Sequence, residues 1–236
     1  MSRFRLHHFE TIDSTQIEAK KPTYAPGDVI YADRQTAGYG RRGRAWEGPS
    51  GNLAFTMIDH YQGPDQLSWI NYAISLGLYD AVQPLLKSST LLNVKWPNDI
   101  LLDGKKLSGM ILEVDDDRLL IGIGVNVAVL PETDQAVTCI NDHSEQPQTA
   151  HSVLQRFLTA YQGWYEKGQA EGFSGLRAQW LARAAYQNQT ITAKLANGEI
   201  LTGVFKDIDN QGALVLSTEN GQYKITSADI YLKENE

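Results

Sequence analysis

Residues 37–46 read AGYGRRGRAW, and GYGRRG within them fits the G-x-G-x-x-G pattern of a dinucleotide-binding turn. That pattern has its meaning only where a strand runs in and a helix starts at the last glycine, so that a pyrophosphate rests on the helix N-terminus. The upstream half is met, because Asp28 to Ala32 (DVIYA) is β-branched and apolar. The downstream half is not. Arg44 to Gly51 (RAWEGPSG) carries two glycines and a proline where a helix would begin. What remains is a glycine-permissive loop with three arginines in four positions, Arg41, Arg42 and Arg44. It suits a mobile cationic flap over a bound anion, and equally a solvated surface turn.

Around this loop lies a chain of 236 residues, 42% hydrophobic, which suffices for one catalytic domain with a small appendage. The N-terminus MSRFRLHHFE lacks the apolar segment of a secretory signal, and no run of about 18 apolar residues occurs, so a cytoplasmic protein without membrane contact is expected. The single cysteine, Cys139, excludes an internal disulfide and a thiolate metal site and is read as a small core or loop residue. The Asn188-Gln189-Thr190 sequon has no meaning in a cytosolic chain. A formal charge of −7 argues against non-specific nucleic-acid binding.

Apolar residues at helical spacing predict helices over Asp65–Lys87, Ala150–Lys167 and Phe173–Tyr186. Between the first two, strands over Leu91–Lys95, Ile100–Leu102, Leu107–Val114 and Arg118–Val127, with turns at Asp103-Gly104 and Asp115–Asp117, predict an antiparallel meander in a mixed sheet. From Gln189 onward the texture changes to short strands separated by Asn197-Gly198, Asn210–Gly212 and Asn220-Gly221, which predicts a small β-barrel packed on the main domain. The boundary is placed at residue 188, giving domains over 1–188 and 189–236.

KWPNDILLDGKKLSGMILEV, Lys95 to Val114, is the most unusual stretch. Proline restricts the residue before it and removes a donor, so Trp96-Pro97 followed by Asn98-Asp99 reads as irregular backbone that orients something. Asn98 and Asp99 can bind sugar hydroxyls or a divalent cation, and Lys105 and Lys106 can reach back from the hairpin. A capped bend with Trp96 in the core and two solvated lysines accounts for the stretch equally well. Thr15-x-x-Glu18 is a capping box that would start a short helix over Gln16–Lys21, and its hydroxyls could also grip a polar ligand. Gly122 to Val127 (GIGVNV) would let a ligand approach the backbone, with Asn126 reading its edge. His7, His8, His60, His143 and His151 show no metal-ligand spacing.

Taken in order, D-S-T, Q-T-A-G-x-G-R-R-G-R-x-W, K-W-P-N-D-I, G-K-K-L-S-G-M-x-x-E and G-I-G-V-N-V resemble the biotin protein ligases over nearly the whole chain. The resemblance implies an α+β fold: a mixed sheet flanked by helices, related to class II aminoacyl-tRNA synthetases, with a C-terminal SH3-like barrel. It implies that biotin and ATP give biotinyl-5′-AMP and pyrophosphate, and that the biotinyl group then passes to a lysine of a biotin carboxyl carrier domain, as in acetyl-CoA carboxylase. By position, biotin contacts fall on Ser14, Thr15, Gln16, Gln35, Tyr39, Gly40, Arg41, Lys106 and Gly109. The ATP and adenylate side falls on Arg41, Arg42, Arg44, Asp99, Lys106 and Asn126. Lys106 and Arg41 are the expected catalytic pair. No dedicated metal site is implied, Mg²⁺ being held with ATP and Asp99 a candidate ligand.

Two positions depart from the family pattern. Tyr39 stands where many members have arginine, and Gln16 where many have asparagine. Tyrosine supplies no cation, so a less tightly held adenylate is expected. The family covers adenine with a loop after the Asn126 strand, and here Ala128 to Asn141 contains no aromatic. The Ser14 motif begins close to the start, so no DNA-binding helix-turn-helix and no operator binding are expected. Monomer and homodimer both occur in the family. Lipoate-protein ligase, and a biotin-binding sensor without catalysis, are the alternative readings.

Overall fold

The computed structural model describes residues 4–46 and 48–232. A seven-stranded sheet has the order β1-β2-β3-β7-β6-β5-β4. Its members are β1 (Arg5–Ile12), β2 (Asp28–Gln35), β3 (Leu53–His60), β4 (Leu92–Lys95), β5 (Asp99–Leu102), β6 (Lys105–Asp115) and β7 (Arg118–Val125). β1 runs parallel to β2 and every other neighbour pair is antiparallel, so the expected mixed sheet and β4-to-β7 meander are both present.

Side chains alternate across this sheet with period two. Val29, Met57 and Leu119 enter the main core beneath α2 (Pro64–Val82) and α3 (Ala150–Leu181). Their neighbours Ile30, Ile58 and Leu120 turn to the other face, where they pack with Ala19 of α1 (Thr15–Ala19). Among the described residues α1, with Phe9 and Tyr24, covers part of that second face, and beside it β3, β6 and β7 line a cleft.

Strands β1 and β3 carry no clear sequence signal, for opposite reasons. β3 is buried on both faces and so does not alternate, whereas β1 is a polar edge strand, RLHHFETI. What fastens β1 is Asp28, which accepts from Arg5 Nε at 2.8 Å and from the Ala25 backbone N–H at 2.7 Å and lies 2.8 Å from His7 Nε2.

The helices expected over 150–167 and 173–186 form one element, α3, broken at Gly172 (φ 64°, ψ −158°). It stops at Leu181 rather than Tyr186 because the following residues dock on the outer strand: Arg183 C=O accepts from Val94 N–H, and Ala185 N–H donates to Val94 C=O. The helix expected over 65–87 ends in a 3-10 turn at Gln83–Leu85, since Pro84 cannot continue the hydrogen-bond ladder.

Strands β8 (Thr190–Leu195), β9 (Ile200–Ile208), β10 (Leu214–Thr218), β11 (Gly221–Ile225) and β12 (Ala228–Leu232) form a second, antiparallel sheet ordered β11-β10-β9-β8-β12. It shares the main core through Ile191, Phe205 and Leu216. Gly212 C=O is the docking point, accepting from Tyr72 Oη at 2.6 Å and Trp96 Nε1 at 3.2 Å.

Burial alone would raise the Asp28 carboxyl, but its bonds to Arg5, the Ala25 backbone and His7 outweigh this and hold it at about 2. A depressed carboxylate contributes stability above its unfolded pKa and loses it as pH falls through the folded value. Asp28→Asn is therefore expected to destabilise the protein at neutral pH by a margin that shrinks from about pH 4 to about pH 2, read by denaturant melts across that range.

Candidate active site

The cleft is built around a local shift in strand register. Between β5 and β6 the pairing runs Asp99↔Gly109 and Ile100↔Ser108, then Leu101↔Lys106, so Leu107 has no opposite residue. In an unbroken strand Lys106 and Gly109, three apart, would point to opposite faces; the bulge brings both into the cleft. Lys106 Nζ then lies 2.9 Å from Asp99 Oδ1, while Lys105 on the hairpin is exposed and stays outside.

Glycines make the floor. Gly109 on β6 pairs with Gly124 on β7, next to the Ile111–Gly122 pair. A Cβ on Gly124 would lie 2.1 Å from the Trp46 indole, and one on Gly122 would lie 2.6 Å from Gln16 Oε1. The indole also sits over Lys106, with Nζ 5.8 Å from the ring centroid. Trp46 belongs to the sequence motif, which by itself gives it no role.

The inner end is polar and closed. Thr15 donates to Gln35 Oε1 through its backbone N–H (2.7 Å) and its hydroxyl (3.1 Å), and Thr56 Oγ1 lies 3.0 Å from both Thr15 Oγ1 and Gln16 Oε1. The expected capping box is not formed. Ser14 is the N-cap without a side-chain bond, the Thr15 hydroxyl is spent on Gln35, and Glu18 takes Tyr24 Oη and Lys21 instead. Thr56 escaped sequence reasoning because a lone threonine in a buried strand carries no signal.

The arginine loop is a small hairpin. Tyr39 pairs with Ala45, Gly40 N–H donates to Arg44 C=O, and Arg41–Gly43 make a 3-10 turn with Arg42 at φ 58° and Gly43 at φ 69°. Among the described residues no helix follows it before α2, so the dinucleotide pattern fails here. Arg41 donates to Asn98 Oδ1 at 2.9 Å and Ser227 Oγ at 2.7 Å, while Arg42 and Arg44 both pair with Asp229 on β12. Burial pulls the Arg41 guanidinium below its usual value against the attraction of Asp229. Burial likewise pushes the Asp229 carboxyl up, but the bond to Arg44 and the three arginine charges leave it below the usual range. Asp229 was missed because nothing in the C-terminal texture marks it.

The segment after β7 contributes Pro131, Thr133 and Val137 to the cleft lining and is pinned where Lys106 N–H donates to Ala136 C=O. Asn126 donates to Thr138 C=O, and its buried Oδ1 has no partner among the described residues, an acceptor available to a bound group. All the expected site residues line this one cleft of about 230 Å³ except Arg42, which faces an adjoining groove. Among the described residues no group of three His, Cys, Asp or Glu could hold a metal, and no helix is long and apolar enough to cross a membrane.

Residues 8–129 match the Biotin/lipoate A/B protein ligase family, and residues 187–233 match the Biotin protein ligase C terminal domain. A biotin–acetyl-CoA-carboxylase ligase of Paracoccus denitrificans is 34% identical over 93% of this chain and 97% of the relative. The chain belongs to the biotin protein ligase family. The bifunctional ligase/repressor BirA of Bacillus subtilis is 31% identical to this biotin protein ligase family member over 98% of the chain and 75% of the relative. The biotin protein ligase of Aquifex aeolicus, solved with biotin and ATP, has the same fold at a TM-score of 0.87 and 24% identity, covering 97% of this chain and 99% of that one.

If the glycine floor is what seats Trp46, Gly124→Ala must expel the indole. The tryptophan emission of Gly124→Ala is expected to differ from that of the unaltered protein, and the difference is expected to vanish in a Trp46→Phe background. A difference that persists there would mean the alanine acts elsewhere.

Proposed function

We infer that the protein is an ATP-dependent ligase that activates biotin as biotinyl-5′-AMP and transfers it to a lysine of a biotin carboxyl carrier domain. The observation that carries this reading is the position of Lys106, held by the β6 bulge between the hydroxyl-lined inner end and the arginine-lined mouth. In the first step a carboxylate oxygen of biotin attacks the α-phosphorus, the bond to the β-phosphate oxygen breaks, and pyrophosphate leaves. Two anions must approach one another, so fixed positive charge at the point of contact lowers the barrier. Lys106 stands there, with Arg41 and Arg44 for the phosphates. In the second step the acceptor amine attacks the acyl carbon, loses a proton, and AMP departs.

Each remaining residue has a place in this reading. Ser14, Thr15, Gln16, Gln35 and Gly109 hold the biotin end, with Tyr39 and Gly40 at the hairpin base. Asn126 Oδ1 and Trp46 suit adenine, the first as acceptor and the second as a stacking face over Gly124. Mg²⁺ would arrive with the triphosphate: of the carboxylates that line the cleft, Asp99 is the one paired with Lys106, and a magnesium ion that keeps phosphates and water needs no more than one or two. We assign catalysis to residues 1–188, a loop-contacting role to 189–236, and a cytoplasmic location. Biotin is preferred over lipoate because the C-terminal match is to biotin protein ligases and the curated relatives carry that name.

Mixing the protein with ATP, Mg²⁺ and biotin is expected to release pyrophosphate, and Lys106→Ala to slow this by about 100- to 1,000-fold, the loss typical of one preorganised charge-stabilising group. Lipoate in place of biotin is expected to give little. Release with lipoate alone would make the protein a lipoate ligase, and release with neither acid would leave a binding protein.

A further inference from the structure

The hairpin over the cleft is held at its tip and at its base by different partners. At the tip, Arg42 and Arg44 meet Asp229, an ion pair that a triphosphate can replace. At the base, Tyr39 Oη donates to Glu113 Oε2 at 3.3 Å, and the same oxygen receives Lys20 Nζ at 2.9 Å. These three residues join the pieces that make the site. Lys20 directly follows α1, which carries Thr15 and Gln16; Glu113 lies on β6, which carries Lys106 and Gly109; and Tyr39 opens the loop. Tyr39 and Glu113 line the groove beside the cleft, and Tyr39 lines both.

Lys20 has two effects on this wall. Its ammonium, held above its usual value by the bond to Glu113, fixes the carboxylate that orients the Tyr39 hydroxyl, which burial and Glu113 keep protonated. It also neutralises Glu113, which otherwise would set an unpaired negative charge beside a cleft that must accept two anions. We propose that Lys20, acting through Glu113, is a positioning residue for the loop: from the end of α1 it anchors the hairpin base while the tip changes partners. This rests on the ligase reading for its effect on the adenylate, but not for its effect on the loop.

The pair is partly exposed, with side chains 44% and 29% accessible, so the effect belongs to the modest class of surface ion pairs. In the ligand-free protein, Lys20→Met is expected to speed native-state tryptic cleavage after Arg42 about two- to fivefold, followed by the fragment that begins at Gly43. Release of biotinyl-5′-AMP is expected to accelerate by a similar factor. Lys20→Arg is expected to keep both rates within about twofold of the starting protein, and adding Tyr39→Arg to Lys20→Met, which places a cation directly opposite Glu113, is expected to return adenylate release to that range, the readout for this variant because the new arginine is itself a tryptic site. Unchanged cleavage in Lys20→Met, accelerated cleavage in Lys20→Arg, or adenylate release that Tyr39→Arg does not slow again would overturn the proposal. A protein that forms no adenylate would defeat the ligase reading while leaving the cleavage comparison to decide the anchor.

Discussion

One extra residue in β6 sets the chemistry of this cleft. With Leu107 left unpaired, the strand returns Lys106 to the face that carries Asp99, Gly109 and Ile111, and the rest of the site follows from where that ammonium stands. An ammonium partly withdrawn from water needs a partner, and Asp99 on the adjoining strand supplies one at 2.9 Å. The pair is rigid because both members belong to a sheet whose opposite face is packed under two long helices. Its backbone is pinned as well, since the segment after β7 bonds to Lys106 on both its N–H and its C=O.

The second constraint is the absence of side chains. Gly109, Gly122 and Gly124 give up packing that other strand residues would provide, and the space is taken by Trp46, Gln16 and Lys106, all polar or amphipathic groups that line the cleft. The loop that brings Trp46 is polar, glycine-rich and intrinsically open, so its closure depends on bonds to its neighbours. Those bonds come from both sheets and their turns: Glu113 on β6 and Asn98 between β4 and β5, Asp229 on β12 and Ser227 just before it. The C-terminal sheet thus has a reason to be present beyond its own stability.

Much of this was legible in the sequence. The glycines and proline after Arg44 excluded a helix, and none forms before α2 among the described residues; the apolar segments and turn residues from Leu91 to Val127 announced the meander that carries Lys106. What stayed hidden depends on contacts across the chain. A bulge has no residue signature at Leu107, because only the partner strand reveals which residue is unpaired. Strand β3 is buried on both faces and lacks a period, so Thr56 could not be placed at the inner end. Thr15 looked like a helix cap because local hydrogen bonding was the only partner visible, whereas Gln35, twenty residues on, takes its hydroxyl. Asp229 sits in a polar strand end whose importance lies in the arginines it meets.

The central claim is that one cleft makes an activated biotin and hands it to a lysine without releasing it to water. It is tested most directly by loading the protein with biotin and ATP, removing free nucleotide, and adding a biotin carboxyl carrier domain with no further ATP. Intact-mass measurement should show one biotinyl group gained per acceptor, AMP released in equal amount, and no gain when the acceptor lysine is replaced by arginine. Recovery of free biotin and AMP with the acceptor unmodified would contradict the account.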